Sequence, residues 1–364
     1  MVVVDKRDLK MSENFLTRLK KFISWKLDEI SRMLNLNLTK LSNLIIRVEK
    51  GSFKQRHTEM FFYCLIEYPV KRIKKMLNLV NNVEDHYDEI SGSYVADLTV
   101  NNRKKWGVVD GEPQKNTYAN HCVDGMKERM QIMEGSGPYN NMLEVGAGEL
   151  TTFCSLVDVM THVQPDLYAI DLSLNRLRHG RAYANSKSID VNLAKASAFA
   201  LPYPDNSFDV VFTSHCLEWM PKKMFKQAVD EVCRVSRKHV FLFEPTYEYS
   251  SFLQKMKMRT HSYMRGLVPY LQQKKGIKIR YSAIMKHSYN VFNETSCHHL
   301  VVENDDSTPL VEKDVALACP SCKEVLELNE NSYFCFTCCR GYPVFDGIPV
   351  LDSDYSLGVN RIEQ

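Results

Sequence analysis

The chain reads as an α/β protein: a doubly wound, mostly parallel sheet, preceded by a helical region and followed by a small cysteine-rich module. Three observations predict this. From residue 120 onward, short apolar runs alternate with helix-length amphipathic segments, the rhythm of strands joined by crossover helices. One of those runs, Met142-Leu143-Glu144-Val145, ends in two spaced glycines, Gly146 and Gly148. Near the C-terminus, five of the 11 cysteines crowd between positions 319 and 339.

The 364 residues suffice for one large domain and a small one, or for two domains. A content of 44% apolar and 25% charged residues is that of an ordinary globular protein. No apolar run approaches the roughly 20 residues a bilayer span needs, and the N-terminus lacks the pattern of a secretory signal. The expected location is the cytoplasm. The net charge of +3 is uneven: residues 1–80 hold 17 Lys+Arg against 8 Asp+Glu, or +9, which leaves −6 for the remainder.

Within residues 1–80, Leu16, Leu19, Ile23, Leu27, Ile30 and Leu34 recur at helical steps with basic residues on the other face. This predicts a basic helical N-terminal region, either a solvated helical face or an arm for an anionic partner such as RNA. Residues 81–120 are polar and turn-rich, with Asn81-Asn82, Ser91-Gly92-Ser93 and Asp110-Gly111 as breakers. They read as a linker, or as a lid whose aromatics in the stretch from His86 to Tyr94 close over a ligand.

The alternating part spans 121–310. Its expected strands after 142–145 are 167–171, 190–194, 208–213, 239–243, 277–281 and 298–303, with helices between them. In such sheets the ligand crevice lies beyond the carboxyl ends of the strands. The residues to read are therefore Glu144 to Gly148, Asp171, Ala196 to Ala198, Ser214 to Glu218 and Glu244-Pro245. Spaced glycines let the backbone turn tightly beside a nucleoside, and an acid ending the next strand can accept both ribose hydroxyls.

Together these tips resemble the class I S-adenosylmethionine-dependent methyltransferases. Leu143-Glu144-Val145-Gly146-Ala147-Gly148 is similar to that family's first motif, and Ala169-Ile170-Asp171-Leu172-Ser173 to its acidic second-strand end. The most specific likeness is Leu201-Pro202-Tyr203-Pro204-Asp205-Asn206-Ser207-Phe208-Asp209, which resembles the family's run into the fourth strand. The resemblance implies a Rossmann-like, seven-stranded methyltransferase sheet that binds S-adenosyl-L-methionine. It implies cofactor roles for Glu144, Gly146, Gly148, Asp171, Ser197, Ala198 and Ser214. Two positions depart from the pattern: Leu150 stands where a third glycine is frequent, and Ser197 where an acid often reads the adenine. A dinucleotide-binding dehydrogenase fits less well, because nothing in that family matches the run from Phe208 to Pro221.

A sulfonium methyl is already activated, so the protein mainly has to align the acceptor with it. A base is needed only for a protonated acceptor such as a hydroxyl. His215, after the fourth strand, is the catalytic candidate, ahead of Glu218, Glu244, His261 and His287. No Asn/Asp-Pro-Pro-Tyr segment follows that strand, which counts against methylation of a nucleobase amino group. The expected acceptor is a small molecule or glycan, through a hydroxyl. RNA bound by the basic arm is the rival, a catalytically silent adaptor the third reading, and no signal of oligomeric state is present.

Cys319-x2-Cys322 and Cys335-x2-Cys338, twelve residues apart, present two thiolate knuckles that suit tetrahedral Zn2+. Cys339 leaves a one-residue slip open. Residues 312–355 are expected to form a zinc ribbon, resembling the small subunits that activate methyltransferases of transfer RNA and translation factors. On that resemblance the four sulfurs are structural.

Overall fold

The computed structural model describes residues 83–102, 104–161, 164–220, 224–290, 293–303 and 315–358, with a few isolated positions between 26 and 70. The basic helical region expected over 1–80 lies otherwise outside the described residues. Two compact units make up the chain, one of Met1–Asn82 with Ser251–Ser262 and one of Val83–Ser250 with Tyr263–Gln364. In the first, a helix over Phe252–Thr260 starts at a capping box in which Ser251 and Gln254 satisfy each other's backbone N–H groups.

The second unit carries the sheet. Helices α1 (Val83–Glu89) and α2 (Ser93–Ala96) lead to an antiparallel hairpin of β1 (Lys104–Val109) and β2 (Glu112–Thr117). Residues expected to be a linker are thus structured. The hairpin turns at Asp110-Gly111, where φ is 50° and 81°, the paired left-handed backbone that a two-residue turn between twisted strands requires. Helix α3 (Tyr118–Glu134) then delivers the chain to β3 (Asn141–Val145).

From there strands and helices alternate. Helix α4 (Thr151–Val157) leads to β4 (Asp166–Asp171), and α5 (Leu174–Ser186) to β5 (Asn192–Ala196). Then come β6 (Phe208–Ser214), α6 (Phe225–Val235), β7 (Ser236–Glu244) and α7 (Leu267–Gln273). Strands β8 (Ile277–Ile284) and β9 (Ser296–Val302) complete this part. The short strands β10 (Glu327–Asn329), β11 (Ser332–Cys335), β12 (Arg340–Phe345), β13 (Ile348–Leu351) and β14 (Leu357–Gly358) form the cysteine-rich module.

The spatial order β5-β4-β3-β6-β7-β9-β8 gives seven strands; the first five are parallel, and β9 is antiparallel to both its neighbours. The sheet does not stop there. Val350 and Leu351 of β13 pair in parallel with Lys195 and Ala196 of β5, so the module extends one mixed, 12-stranded sheet. That is larger and less parallel than expected, because the module's own hairpins are antiparallel.

Side chains alternate across this sheet with period two. Leu143, Val145, Ile170, Val211, Val240 and Leu242 enter one core, while Met142, Ala169, Val210, Phe212, Phe241 and Phe243 enter the other. Apolar residues on both faces leave the central strands no solvated side, which forces helices onto each. Helix α6 answers with Phe225, Ala228, Val229 and Val232 buried at steps of three and four. The Leu201-Pro202-Tyr203-Pro204-Asp205 run is held from the same helix, where Glu231 accepts the N–H of Leu201 at 2.8 Å. Arg234 donates to the carbonyls of Leu201 and Tyr203, at 3.0 and 2.8 Å, and pairs with Asp205 at 2.8 Å. Tyr203 is thereby packed edge-on between Tyr168 and Phe208.

The strand order reverses at β3, whose neighbours β4 and β6 lie on opposite sides. Beyond the carboxyl ends of such a pair a crevice opens, because the connections leave in opposite directions.

Candidate active site

The turn after β3 is fixed by one carbonyl. Ile170 O accepts the N–H groups of both Gly146 and Ala147, each at 2.9 Å. Gly148 N–H then donates to Asp171 Oδ2 at 2.8 Å, while Asp171 Oδ1 accepts from Ser173 N–H at 2.9 Å. Gly146 and Gly148 both have positive φ, 77° and 56°. Space matters as much as φ at these two positions. A Cβ on Gly146 would strike Cys216 Sγ, and one on Gly148 would strike the Arg176 guanidinium. The close approach at these glycines is to those two side chains.

Leu150 keeps the left-handed backbone that a glycine would take there, with φ 55° and ψ 16°, at the N-terminus of α4. Its side chain is fully buried in the core with Phe153 and Phe212, so packing holds a conformation that L-residues avoid.

A cavity at the switch point is lined by four of the expected residues, Glu144, Gly146, Ser214 and His215. Gly148 and Asp171 stand off its wall; Arg176, whose Nη1 is 4.0 Å from Asp171 Oδ2, lines it instead. Ser197 and Ala198 are also off the wall. Ser197 Oγ accepts the N–H of Phe199 at 3.3 Å, and Ala198 packs against the apolar core.

Glu144 is 1% exposed, and its Oε2 has no hydrogen-bond partner. Burial pushes its carboxyl up to about 8, nearby Arg129 pulls the other way, and Asp171 adds to the rise. Arg129, itself buried and held below the usual guanidinium range by desolvation, donates to Ser214 Oγ at 2.8 Å and lies over the Phe243 ring. Sequence reasoning passed over Arg129, although it interrupts the buried face of Cys122, Met126, Met130 and Met133 on α3.

His215 has φ 54° and lies on the cavity wall. Its Nε2 is 2.9 Å from Thr295 Oγ1, and its Nδ1 is 3.4 Å from Asn293 Nδ2 and 3.6 Å from Glu218 Oε2. Asn293 donates to the same Glu218 oxygen at 3.0 Å. Of the weaker candidates, Glu218 joins His215 on the wall. Glu244 is buried beneath it, accepts Cys216 N–H at 3.0 Å and is raised to about 8 by burial. His287 pairs with Glu128 at 3.0 Å, off the wall, and His261 belongs to the other unit.

The stretch from α1 through α2 forms a strap across this cavity. Glu149 accepts the N–H groups of Gly92 and Val95, at 2.9 and 2.8 Å, which anchors the start of α2 to the glycine turn. The Arg176 guanidinium sits 4.8 Å from the Tyr87 ring and 4.7 Å from the Tyr94 ring. Tyr118 and Tyr289, edge-on at 5.6 Å, close the far side, and burial raises both phenols. The aromatics expected of a lid are therefore on the cavity; Tyr118, Tyr289 and Arg176 carried no motif that would mark them.

In the cysteine-rich module, the thiols of Cys319, Cys322, Cys335 and Cys338 lie within 4.8 Å of one another. Tetrahedral zinc with bonds of about 2.3 Å places its sulfurs about 3.8 Å apart, so this donor set fits. Tyr342 Oη is 3.3 Å from Cys319 Sγ. Cys339 Sγ instead turns to the carbonyl of Phe336 at 3.6 Å and is not part of that four-thiol cluster.

Residues 143–243 match the family model described as a methyltransferase domain. A demethylmenaquinone methyltransferase of Shouchella clausii (strain KSM-K16) is 27% identical over 141 residues, 38% of this chain and 50% of that protein. The chain thus spans about half the length of that curated relative. A crystal structure of magnesium protoporphyrin IX methyltransferase from Synechocystis PCC 6803, with bound SAH, is 11% identical with a TM-score of 0.43. That similarity covers 61% of this chain and all of the other. A SAM-dependent methyltransferase from Methanosarcina mazei is 15% identical over 48% of this chain and 98% of its own, with a TM-score of 0.40. The stretch that matches the family model contains the glycine turn, Asp171 and the tip of β6.

Leu150 gives a test of the turn. Leu150→Ala loses buried volume and keeps the backbone strain, whereas Leu150→Gly loses more volume but removes the strain. Both variants are expected to unfold more easily, by about 2–4 kcal/mol, with Gly no worse than Ala. Urea denaturation measures this, and an alanine variant clearly more stable than the glycine variant would refute the strain.

Proposed function

We propose that this chain transfers the methyl group of S-adenosylmethionine to a small-molecule or glycan hydroxyl in the cavity beyond β3 and β6. Glu144 carries this reading. A carboxylate oxygen that is buried, unpaired and set beside the glycine turn of a methyltransferase domain calls for a cationic ligand. S-adenosylmethionine has an ammonium group to offer there, and supplies a methyl already activated on a sulfonium.

The chain's own task is to hold, orient and keep out water. Glu144, Gly146 and Ser214 are placed to hold the methionine side. Asp171 reaches ribose hydroxyls when the Arg176 guanidinium yields its place, since the lone pairs of its carboxylate are not exhausted by Gly148 and Ser173. Ser197 and Ala198 carry no part of this reading. His215, steadied by Thr295 and flanked by Glu218 and Asn293, is the group that takes the proton of a hydroxyl acceptor. A strapped cavity suits a small acceptor better than RNA. The four thiols support a structural zinc ion with no open coordination position.

Three outcomes test the proposal. Incubation of labelled S-adenosylmethionine with fractionated cell extract should place label in the small-molecule or glycan pool, and Asp171→Ala should abolish it. Label in RNA would favour the rival, and wild-type protein that binds no donor would leave only the adaptor.

Donor affinity should also depend on pH through Glu144. Its carboxyl, raised to about 8, is protonated at lower pH, and a bound cation favours the ionised form. Binding therefore releases a proton below about pH 8, and affinity rises by up to about tenfold per pH unit until it levels there. Calorimetry in buffers of differing ionisation heat reads this release, which Glu144→Gln should eliminate.

Purified protein should carry about one zinc per chain. Cys338→Ser should lose it and Cys339→Ser retain it, as measured by elemental analysis; the reverse pattern would move the ligand.

A further inference from the structure

We propose that Lys195, Glu84 and Tyr355 form a clasp by which the cysteine-rich module holds the strap closed over the donor site. Lys195 belongs to β5, where it pairs on one side with Asp171 of β4 and on the other with Val350 of β13. It is 4% exposed, and a buried ammonium needs counter-charges close by. The strap provides one: Glu84 Oε1, on α1, is 3.0 Å from Lys195 Nζ. The module provides the rest. Asp352 Oδ2 is 3.6 Å away, and the Tyr355 ring lies 4.2 Å from Nζ. Tyr355 Oη closes the triangle by donating to the same Glu84 oxygen at 3.1 Å.

Three parts of the fold thus meet at one buried cation. The module side is preset, since Asp352 Oδ1 caps the short helix Ser353–Tyr355 by accepting from Asp354 N–H at 3.1 Å. Lys195 is locked by strand pairing on both sides. Only Glu84 can leave, and when the strap lifts it takes with it the nearest counter-charge of Lys195. Closure of the strap is favoured by the cost of that exposed imbalance. Glu84 and Tyr355 touch no cavity wall, so they act by positioning the segment that carries Tyr87 and Tyr94.

This rests on the donor site proposed above, and the test separates the two. Tyr355→Phe deletes one hydroxyl and Glu84→Gln one charge, both at sites where a side chain of the same shape remains. Each should weaken S-adenosylmethionine binding about five- to tenfold, with turnover at saturation changed less than about twofold. The double variant should fall short of the product of the two, because both changes break one contact. Without any donor, amide exchange should quicken in residues 84–96 and stay unchanged in β3. Wild-type binding matched by both variants, with exchange over 84–96 unmoved, overturns the clasp; so does exchange that quickens throughout the sheet. Faster exchange confined to 84–96 in a protein that binds no donor upholds the clasp and removes the donor reading.

Discussion

A single carbonyl organises the cleft. Ile170 O lies one residue before the end of β4, in the part of the strand that is buried, so its two lone pairs need partners within the protein. Gly146 and Ala147 turn their N–H groups onto it, which is possible only because Gly146 adopts a positive φ. That turn leads the backbone on to Gly148, whose N–H then meets Asp171. The glycines, the acid and the start of α4 are thus one solution to a hydrogen-bonding problem at the ends of two adjacent strands. The cavity at the switch point follows from it.

The same ends concentrate charge. Glu144, Glu149, Asp171, Arg129 and Arg176 are all buried within this small region. Most are answered locally: Glu149 by two strap N–H groups, Asp171 by Gly148 and Ser173, Arg176 by two tyrosine faces, Arg129 by Ser214. Glu144 Oε2 is left without a hydrogen-bond partner, as are the Nε atoms of Arg129 and Arg176. On the proposed reading, the Glu144 oxygen is the point that a positively charged ligand would meet, beside the glycine turn.

Much of this was legible in the sequence. Short apolar runs alternating with helix-length amphipathic segments gave away the doubly wound core, and the tips of β3 and β6 were named by position. The run Leu201 to Asp209 was legible as a motif; its physical reason, the grip of Arg234 on its carbonyls, was not. Contacts that bring distant segments together escaped because they carry no local pattern. Tyr118 and Tyr289 are 171 positions apart, and Lys195 looks like a surface residue until strands on both sides cover it. The hairpin over 104–117 had its Asp-Gly turn in plain view, but few apolar residues flank it, and the segment read as a linker.

The extension of the sheet by β13 bears on why the cysteine-rich module is there at all. Without it, β5 would be an edge strand with unpaired N–H and C=O groups, a template for unwanted pairing. The module covers that edge and shares its core as well. Cys319, Leu326, Cys335 and Tyr342 lie in the same apolar cluster as Phe225, Val229 and Val232 of α6. Lys323 adds a tie to Glu231 at 3.0 Å, on the helix that also fixes the Leu201 to Asp205 run. A metal ion gathered by four cysteines of this module would therefore stiffen more than a peripheral knuckle. Its influence would pass through β13 to β5, through α6 to the entry of β6 and, on the proposed clasp, through Tyr355 to the strap. If the proposed site and clasp hold, the module is part of the site's scaffold rather than an appendage to it.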